Sequence, residues 1–216
     1  MSADPSFLAP ARFVDSDHSD VIALAREIVG EAESDADKAS RLFRAVRDRL
    51  RYDPYAVTVD PDDYRASRIL HQKRSYCVPK AVLLCALARA SGLAARVGFA
   101  DVKNHLSSEK LLRTMGTDLF VFHGYVELWI DGVPRKASPA FNAELCAKFG
   151  VPPLEFDGRS DALLQAFDGS GHRFMEYVRD RGLFLDLPFD DMLRAFAETY
   201  ARDGIPELSK ARDDAF

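Results

Sequence analysis

Cysteine is scarce in this sequence, and the few cysteines are not paired. There are three, Cys77, Cys85 and Cys146, and an odd, widely spaced set does not predict a disulfide framework. No C-x-x-C or H-x-x-x-H spacing occurs, so a structural zinc site is not expected either. We expect a reducing compartment and no metal or other cofactor, and each cysteine then needs its own explanation.

Two further features are missing, a block of basic residues and a long apolar run. The net charge is −5 and no Lys/Arg-rich block occurs, which gives no indication of a nucleic-acid partner. The longest apolar stretch, Ala81–Ala88, is too short to cross a bilayer. Residues 1–10 lack the basic start and apolar run of a secretory signal. The sequence therefore predicts a cytoplasmic protein that binds neither nucleic acid nor membranes, and it indicates nothing about the oligomeric state.

The sequence does have enough apolar residues for one full hydrophobic core. Its 216 residues are 47% hydrophobic, so we expect a single domain over residues 1–216. Helical periodicity, capping residues and proline positions predict four helices in the first half. Their predicted limits are Ser19 or Asp20 to Gly30, Ser34 or Asp35 to Asp53-Pro54, Asp63 to about Leu70, and Cys77 to Ala90.

After the fourth helix the periodicity changes to that of strands, with β-branched and aromatic residues. The pair Asp131-Gly132 suits a two-residue turn, so we expect a β-hairpin there. The predicted strands are Ala95–Ala100, Leu119–Ile130 and Val133–Ala137, and the predicted C-terminal helices begin at Ala143 and include one from Pro188 to about Tyr200. Helices, then an antiparallel sheet, then more helices predict an α+β fold.

Cys77 occupies the start of the fourth predicted helix, because Pro79 is tolerated only in a first helical turn. Free backbone N–H groups and the positive end of the helix dipole stabilise an anion there, and a thiolate is such an anion. The same N–H groups suit the oxyanion of a tetrahedral intermediate. A small buried residue is the alternative, which we prefer for Cys85 and Cys146. For Cys77 the position favours a reactive nucleophile.

His123 lies within the longest predicted strand, and hairpin register gives it a neighbour. If Ile130 pairs with Val133 across a two-residue turn, then His123 opposes Ala140, and Ser138 is its diagonal neighbour on the same face. Strict alternation predicts that one face, suited to a half-lined cleft, carries Val121, His123, Tyr125, Glu127 and Trp129. A hydrogen-bonded histidine without a catalytic role is the alternative.

Together these residues resemble the transglutaminase-like superfamily, whose core is related to papain-like cysteine proteases. The resemblance covers about Ser75 to Asn142, and it rests on Cys77-Val-Pro-Lys-Ala81, Ser91-Gly-Leu-Ala-Ala-Arg96, His123-Gly-Tyr-Val-Glu127 and Ser138-Pro-Ala-Phe-Asn142. Residues 99–106, 154–158 and 175–178 are similar to a bacterial subgroup. The resemblance implies a nucleophile helix packed on an antiparallel sheet, with additional N- and C-terminal helices, the latter over about 143–216. It also implies that Cys77 is the nucleophile and His123 its base.

The sequence departs from the family pattern at the third catalytic position, where the family usually has Asp and this chain has Ser138. A serine hydroxyl can accept a hydrogen bond from the imidazole but carries no charge. Asn142 is close in sequence and is a possible orienting residue, since papain-like enzymes use Asn in this role. The candidate carboxylates are Asp157, Asp101 and Glu127.

The predicted function is that of a cysteine enzyme acting on an amide bond of a peptide or small amide, by hydrolysis or by transfer to an amine. The alternative is a binding or scaffold module that kept the fold and lost strong catalysis, and a metal-dependent enzyme is the weakest reading. Candidate substrate-binding residues are Tyr125, Asn104, His105, Gln72, Tyr76 and Asp157, and candidate second oxyanion donors are Gln72, Tyr76 and Tyr64.

Overall fold

A four-stranded antiparallel sheet and the helix packed on it organise the chain, which a computed structural model describes over residues 3–105, 107–165 and 174–200. The strand order is β5-β4-β3-β6, and a separate parallel pair joins β1 to β2. The strands are β1 Arg51–Tyr52, β2 Arg74–Ser75, β3 Ala95–Asn104, β4 Leu119–Ile130, β5 Val133–Ala137 and β6 Met175–Phe184. The helices are α1 Ser19–Val29, α2 Asp35–Arg49, α3 Ala66–Ile69, α4 Cys77–Ala90, α5 Glu109–Met115, α6 Ala143–Lys148 and α7 Phe189–Thr199.

The central elements agree with the sequence predictions. Helix α4 and strands β4 and β5 have the predicted limits. Asp131 and Gly132 have φ values of 52° and 76°, as a two-residue hairpin turn with two left-handed positions requires. The register is the predicted one, since Ile130 pairs with Val133 and Val126 with Ala137. The α+β fold class is confirmed.

Helix α4 is enclosed on all sides, because nearly all of its residues are buried. It packs against α1, α2 and α3 on one side and against β4 on the other. Its two cations, Lys80 and Arg89, donate hydrogen bonds to backbone carbonyls; Arg89, for example, donates to the carbonyls of Ala95, Ala9 and Leu185. Cys77 is thus held at the end of a rigid, fully packed helix. Within the described ranges, no helix is long and apolar enough to cross a membrane.

Three predicted boundaries in the helical half are wrong. Helix α1 is capped by the ring of His18, whose Nδ1 accepts from the N–H of Asp20 at 3.2 Å, rather than by Ser19 or Asp20. Helix α2 ends at Arg49 and not at Asp53-Pro54, because the next residues leave the helix to pair with β2. The third predicted helix is split by the extended backbone of Arg65 into a 3-10 turn, Pro61–Tyr64, and α3.

The predicted helical extension over 143–216 is wrong at residues 175–184, which form strand β6 and pair with β3. Most side chains of β6 are exposed or partly exposed, and several are charged, as is common for a strand at the edge of a sheet. Helix α5, capped by the Ser108 hydroxyl on the Leu111 N–H, was not predicted, and β3 extends to Asn104 instead of Ala100. Residues 201–216 of the predicted extension lie outside the described residues.

Candidate active site

Cys77 and His123 line the same small cavity beside the first turn of α4. Cys77 is the first residue of that helix, and both side chains are buried, at 8% and 3% exposure. The walls are mostly aromatic and come from well-separated parts of the chain. They include Tyr52, Tyr76, Phe120, Phe141, Phe196 and Tyr200. The fold therefore brings the predicted nucleophile and the predicted base to one enclosed, largely apolar space.

Gly124 allows β4 to approach the start of α4 closely. A Cβ atom at this position would lie 2.8 Å from the carbonyl oxygen of Cys77 and 3.0 Å from the Cα of Val78, closer than real Cβ atoms approach backbone. The backbone N–H groups of Gly124 and Val78 also favour the thiolate of Cys77. Sequence reasoning missed Gly124, although a glycine inside a strand often indicates a close backbone approach.

The imidazole of His123 is hydrogen-bonded to Ser138, which is the diagonal neighbour that the hairpin register predicts. The distance from His123 Nε2 to Ser138 Oγ is 3.1 Å, so the serine side chain does span the diagonal relation. The same hydroxyl donates to the carbonyl of Gly124 at 3.0 Å. Because its single proton is used there, the hydroxyl accepts from His123, which assigns the proton to Nε2. The lone pair then lies on Nδ1, on the opposite side of the ring.

Strand β4 does not keep the predicted uninterrupted alternation. Val121 and Phe122 together oppose Asp101 in β3, so the strand has a β-bulge immediately before His123. Phe122 has a φ of 59°, and its N–H donates to the Asp101 carboxylate at 3.1 Å. Val121 and Phe122 therefore join the core around α4, whereas Tyr125 packs in a second cluster on the sheet.

The other candidates for the third catalytic position are engaged elsewhere. Asp101 holds the bulge and pairs with Arg181. Glu127 pairs with Arg96 at 2.6 Å, and the side-chain oxygen of Asn142 accepts from the N–H of Tyr52 at 3.0 Å. Asp157 caps its own loop through the N–H groups of Arg159 and Ser160. Asn142 therefore holds β1, and among the described residues Ser138 is the side chain that hydrogen-bonds to His123.

Of the predicted substrate-binding residues, Tyr76 and Asn104 line the cavity. The hydroxyl of Tyr76 is 2.8 Å from that of Tyr64, and Tyr64 in turn donates to the carbonyl of Thr58. The four others do not line this cavity, and each has partners elsewhere. Tyr125 donates to Asp180, His105 pairs with Glu176, Gln72 donates to the Asp63 carbonyl, and Asp157 caps a loop.

Burial favours the neutral form of both Cys77 and His123. It raises the pKa of the Cys77 thiol to about 11, although the Gly124 and Val78 N–H groups and the Lys80 cation oppose it. It lowers the pKa of His123 to about 4. Between these two pKa values the neutral thiol and the neutral imidazole are the favoured forms. The thiolate expected from the helix start alone is therefore not the resting form.

Lys80, three residues after Cys77, is fully buried and was not singled out by sequence reasoning. Its Nζ donates to the carbonyls of Arg47, Leu50 and Ala140 at 2.8, 2.8 and 2.7 Å. Three donated bonds require the ammonium form, since a neutral amine has two N–H groups, although burial lowers the Lys80 pKa. A lysine in the first turn of a largely apolar helix was the available signal.

Comparison with known proteins gives one family match. Residues 22–134 match the family model described as the transglutaminase-like superfamily. A provisionally assigned cysteine protease from Cytophaga hutchinsonii aligns with a TM-score of 0.49 and 16% identity, over 84% of this chain and 55% of the other. A provisionally assigned protease from Parabacteroides distasonis aligns with a TM-score of 0.41 and 15% identity, over 65% and 26%. This chain thus spans about half of the first structure's length. Curated proteins give no match.

Proposed function

Because the chain belongs to the transglutaminase-like superfamily, we propose that it is a cysteine enzyme acting on an amide bond of a peptide or small amide. Cys77 is the nucleophile and His123 the base. The observation that carries the proposal is their shared cavity, combined with the hydrogen bond from His123 Nε2 to Ser138, which leaves the lone pair of Nδ1 available. We further propose that residues 1–216 form one domain that acts in the cytoplasm, where three free cysteines stay reduced.

The neutral resting pair defines the first step. As the Cys77 sulfur attacks the carbonyl carbon, its proton passes to Nδ1 of His123, and the carbonyl oxygen becomes the oxyanion. Backbone N–H groups at the start of α4 are suited to stabilise that charge. The imidazolium then gives its proton to the departing amine as the carbon–nitrogen bond breaks, leaving a thioester on Cys77. Charge is created only during the reaction, so neither Cys77 nor His123 is charged between turnovers.

The thioester is then released by water or by an amine, with Nδ1 accepting the proton of the attacking molecule. We favour hydrolysis, because water is always present and no acceptor site is evident among the described residues. Ser138 orients the ring but does not stabilise the imidazolium by charge, so turnover should be slower than with a carboxylate at this position.

Labelling of Cys77 by iodoacetamide across pH tests the proposal, with the modified peptide identified by mass spectrometry. In the parent, base-assisted labelling should rise with the deprotonation of His123 near pH 4 and then level off. In His123→Ala, the rate should keep rising with pH towards the thiol pKa of about 11. The matched control is His71→Ala, an exposed histidine, which should behave as the parent. Identical titrations of an ordinary thiol in parent and His123→Ala would contradict the proposal.

The uncharged Ser138 favours a second candidate, a binding module that retains the fold. Two results together would support that candidate. Labelling of Cys77 would depend on His123, and a thioester formed on Cys77 with an activated ester would not release its acyl group. Release of the acyl group with loss of this activity in His123→Ala would support the enzyme.

A further inference from the structure

A second cavity opens from the one that contains Cys77 and His123. It has a volume of about 430 Å³ and lies between helices α5 and α6. The two cavities share Tyr52, Pro54, Asn104 and Phe141 as walls. We call this second cavity the α5–α6 groove. Since its size lies within the range of small-molecule binding sites, the groove can hold the part of a substrate that continues from the reacting bond.

Apolar and aromatic side chains form most of the groove. Phe141 stands at its junction with the active site, edge-on to Tyr52 at 4.7 Å and stacked on Phe174 at 5.6 Å between ring centroids. Leu111 from α5 and the 49%-exposed Phe149 after α6 extend the apolar wall. A large exposed aromatic side chain beside such a groove favours an aromatic ligand, since ring contacts add to simple burial.

The charges at the groove have one sign. Lys110 of α5 and Lys148 of α6 both line it, and neither is paired with a carboxylate in the part of the chain that the structure describes. The neighbouring acidic residues are already used, because Glu109 pairs with Arg113 and Glu144 with Arg51. None of the groove's lining residues is acidic. The groove therefore complements a ligand with one negative charge next to an aromatic group.

We propose that the α5–α6 groove binds the leaving group of the substrate, and that this leaving group is an aromatic amino acid with a free carboxylate. An aromatic ring, a carboxylate and an amide nitrogen occur together in the C-terminal residue of a peptide that ends in an aromatic amino acid, and in an N-acylated aromatic amino acid. The bond attacked by Cys77 is then the amide bond to that residue's nitrogen. This inference rests on the proposed function and names its substrate class.

Iodoacetyl derivatives test the inference, because their alkylating carbon lies one bond from an amide carbonyl whose nitrogen belongs to the amino acid that the groove is proposed to bind. The rate and saturation of Cys77 labelling are compared for four probes: N-iodoacetyl-L-phenylalanine, its carboxamide, N-iodoacetylglycine and iodoacetamide. N-iodoacetyl-L-phenylalanine should label at least about tenfold faster than each of the others at low concentration, from ring burial and one charge contact. The double variant Lys110→Gln/Lys148→Gln should lose the preference for the acid over its carboxamide. Lys38→Gln, a lysine on α2 that lines neither cavity, should keep it.

Failure of this inference and failure of the proposed function would give different results. Equal rates for all four probes, with labelling that still depends on His123, would overturn the inference and leave the proposed function standing. Equal rates for the acid and its carboxamide would likewise overturn it. Binding of N-acetyl-L-phenylalanine to Cys77→Ser, followed by NMR, measures the groove without any reaction. Binding that is lost in the lysine double variant supports the groove assignment even if labelling shows Cys77 to be an ordinary thiol, and absence of binding in Cys77→Ser counts against it.

Discussion

The Nζ of Lys80 donates a hydrogen bond of 2.7 Å to the carbonyl of Ala140, two residues beyond Ser138. This bond ties the first turn of the Cys77 helix to the segment that orients His123. The same ammonium also holds the end of α2 through the carbonyls of Arg47 and Leu50. A single buried cation thus fixes three parts of the chain around the candidate active site.

Lys80→Met should destabilise the protein by about 3 kcal/mol, because it leaves three buried carbonyls without donors. Urea unfolding at neutral pH measures this free energy. Lys103→Met, at a half-exposed lysine paired with Asp118, is the matched control and should cost far less. Equal stability of Lys80→Met and the parent would show that these carbonyls find other donors and that the cation is not needed.

Changes at Ser138 should alter the pH profile of Cys77 labelling. Ser138→Ala removes the acceptor for Nε2–H, so labelling at neutral pH should fall, since the ring is no longer held with Nδ1 available. Ser138→Asp places a negative charge beside the imidazole and should raise the His123 pKa from about 4, which moves the acid limb of the profile to higher pH. An unchanged acid limb in Ser138→Asp would exclude contact between the two side chains.

Burial of a neutral His123 should make the fold acid-sensitive. Its pKa is about 4 in the folded protein and about 6.5 in the unfolded chain, so the unfolded chain binds the proton first as the pH falls. About 3 kcal/mol of unfolding free energy should be lost from this group between about pH 6.5 and 4. His123→Gln should lose correspondingly less over that interval in urea unfolding. The exposed His71→Gln should follow the parent, and parallel behaviour of all three proteins would contradict the assignment.

Gly124→Ala should destabilise the protein by more than about 2 kcal/mol and abolish rapid labelling of Cys77, because the new Cβ would lie 2.8 Å from the Cys77 carbonyl. Thermal unfolding and labelling kinetics measure the two effects. Gly92→Ala is the control, since its Cβ would meet nothing within 4 Å and costs only the strain of a φ of 81°. If both variants lose the same unfolding free energy and their Cys77 is labelled at the parent's rate, the close approach of β4 to α4 is not required.

The elements that the sequence predicted are those with strong local signals. Helix α4 combines an apolar run with Pro79 in its first turn, and the β4–β5 hairpin has Asp131-Gly132 between two strands. Strand β6 has no such signal, because it lies at the sheet edge and is mostly exposed.

The part of the candidate site that could be predicted is the part that follows from the register of the β4–β5 hairpin. The diagonal position of Ser138 relative to His123 comes from counting residues along a hairpin, and the contact is present. The donors and acceptors that complete the site are long-range, such as the Arg47 and Ala140 carbonyls at Lys80 and the Asp101 carboxylate at Phe122. No local pattern specifies such partners, since they depend on how distant segments meet.

The bulge at Val121 and Phe122 divides β4 into a segment that begins with His123 and a segment, Leu119 and Phe120, that precedes the bulge. His123 and the residues after it keep their pairing with β3, and those from Val126 onward also pair with β5, whereas Leu119 and Phe120 lie on the other side of the extra residue. Deleting one residue at the bulge would exchange the faces of Leu119 and Phe120 without changing His123. A change of length at this point would therefore alter the cavity wall at Phe120 while the pairing of His123 with Ala100 is kept.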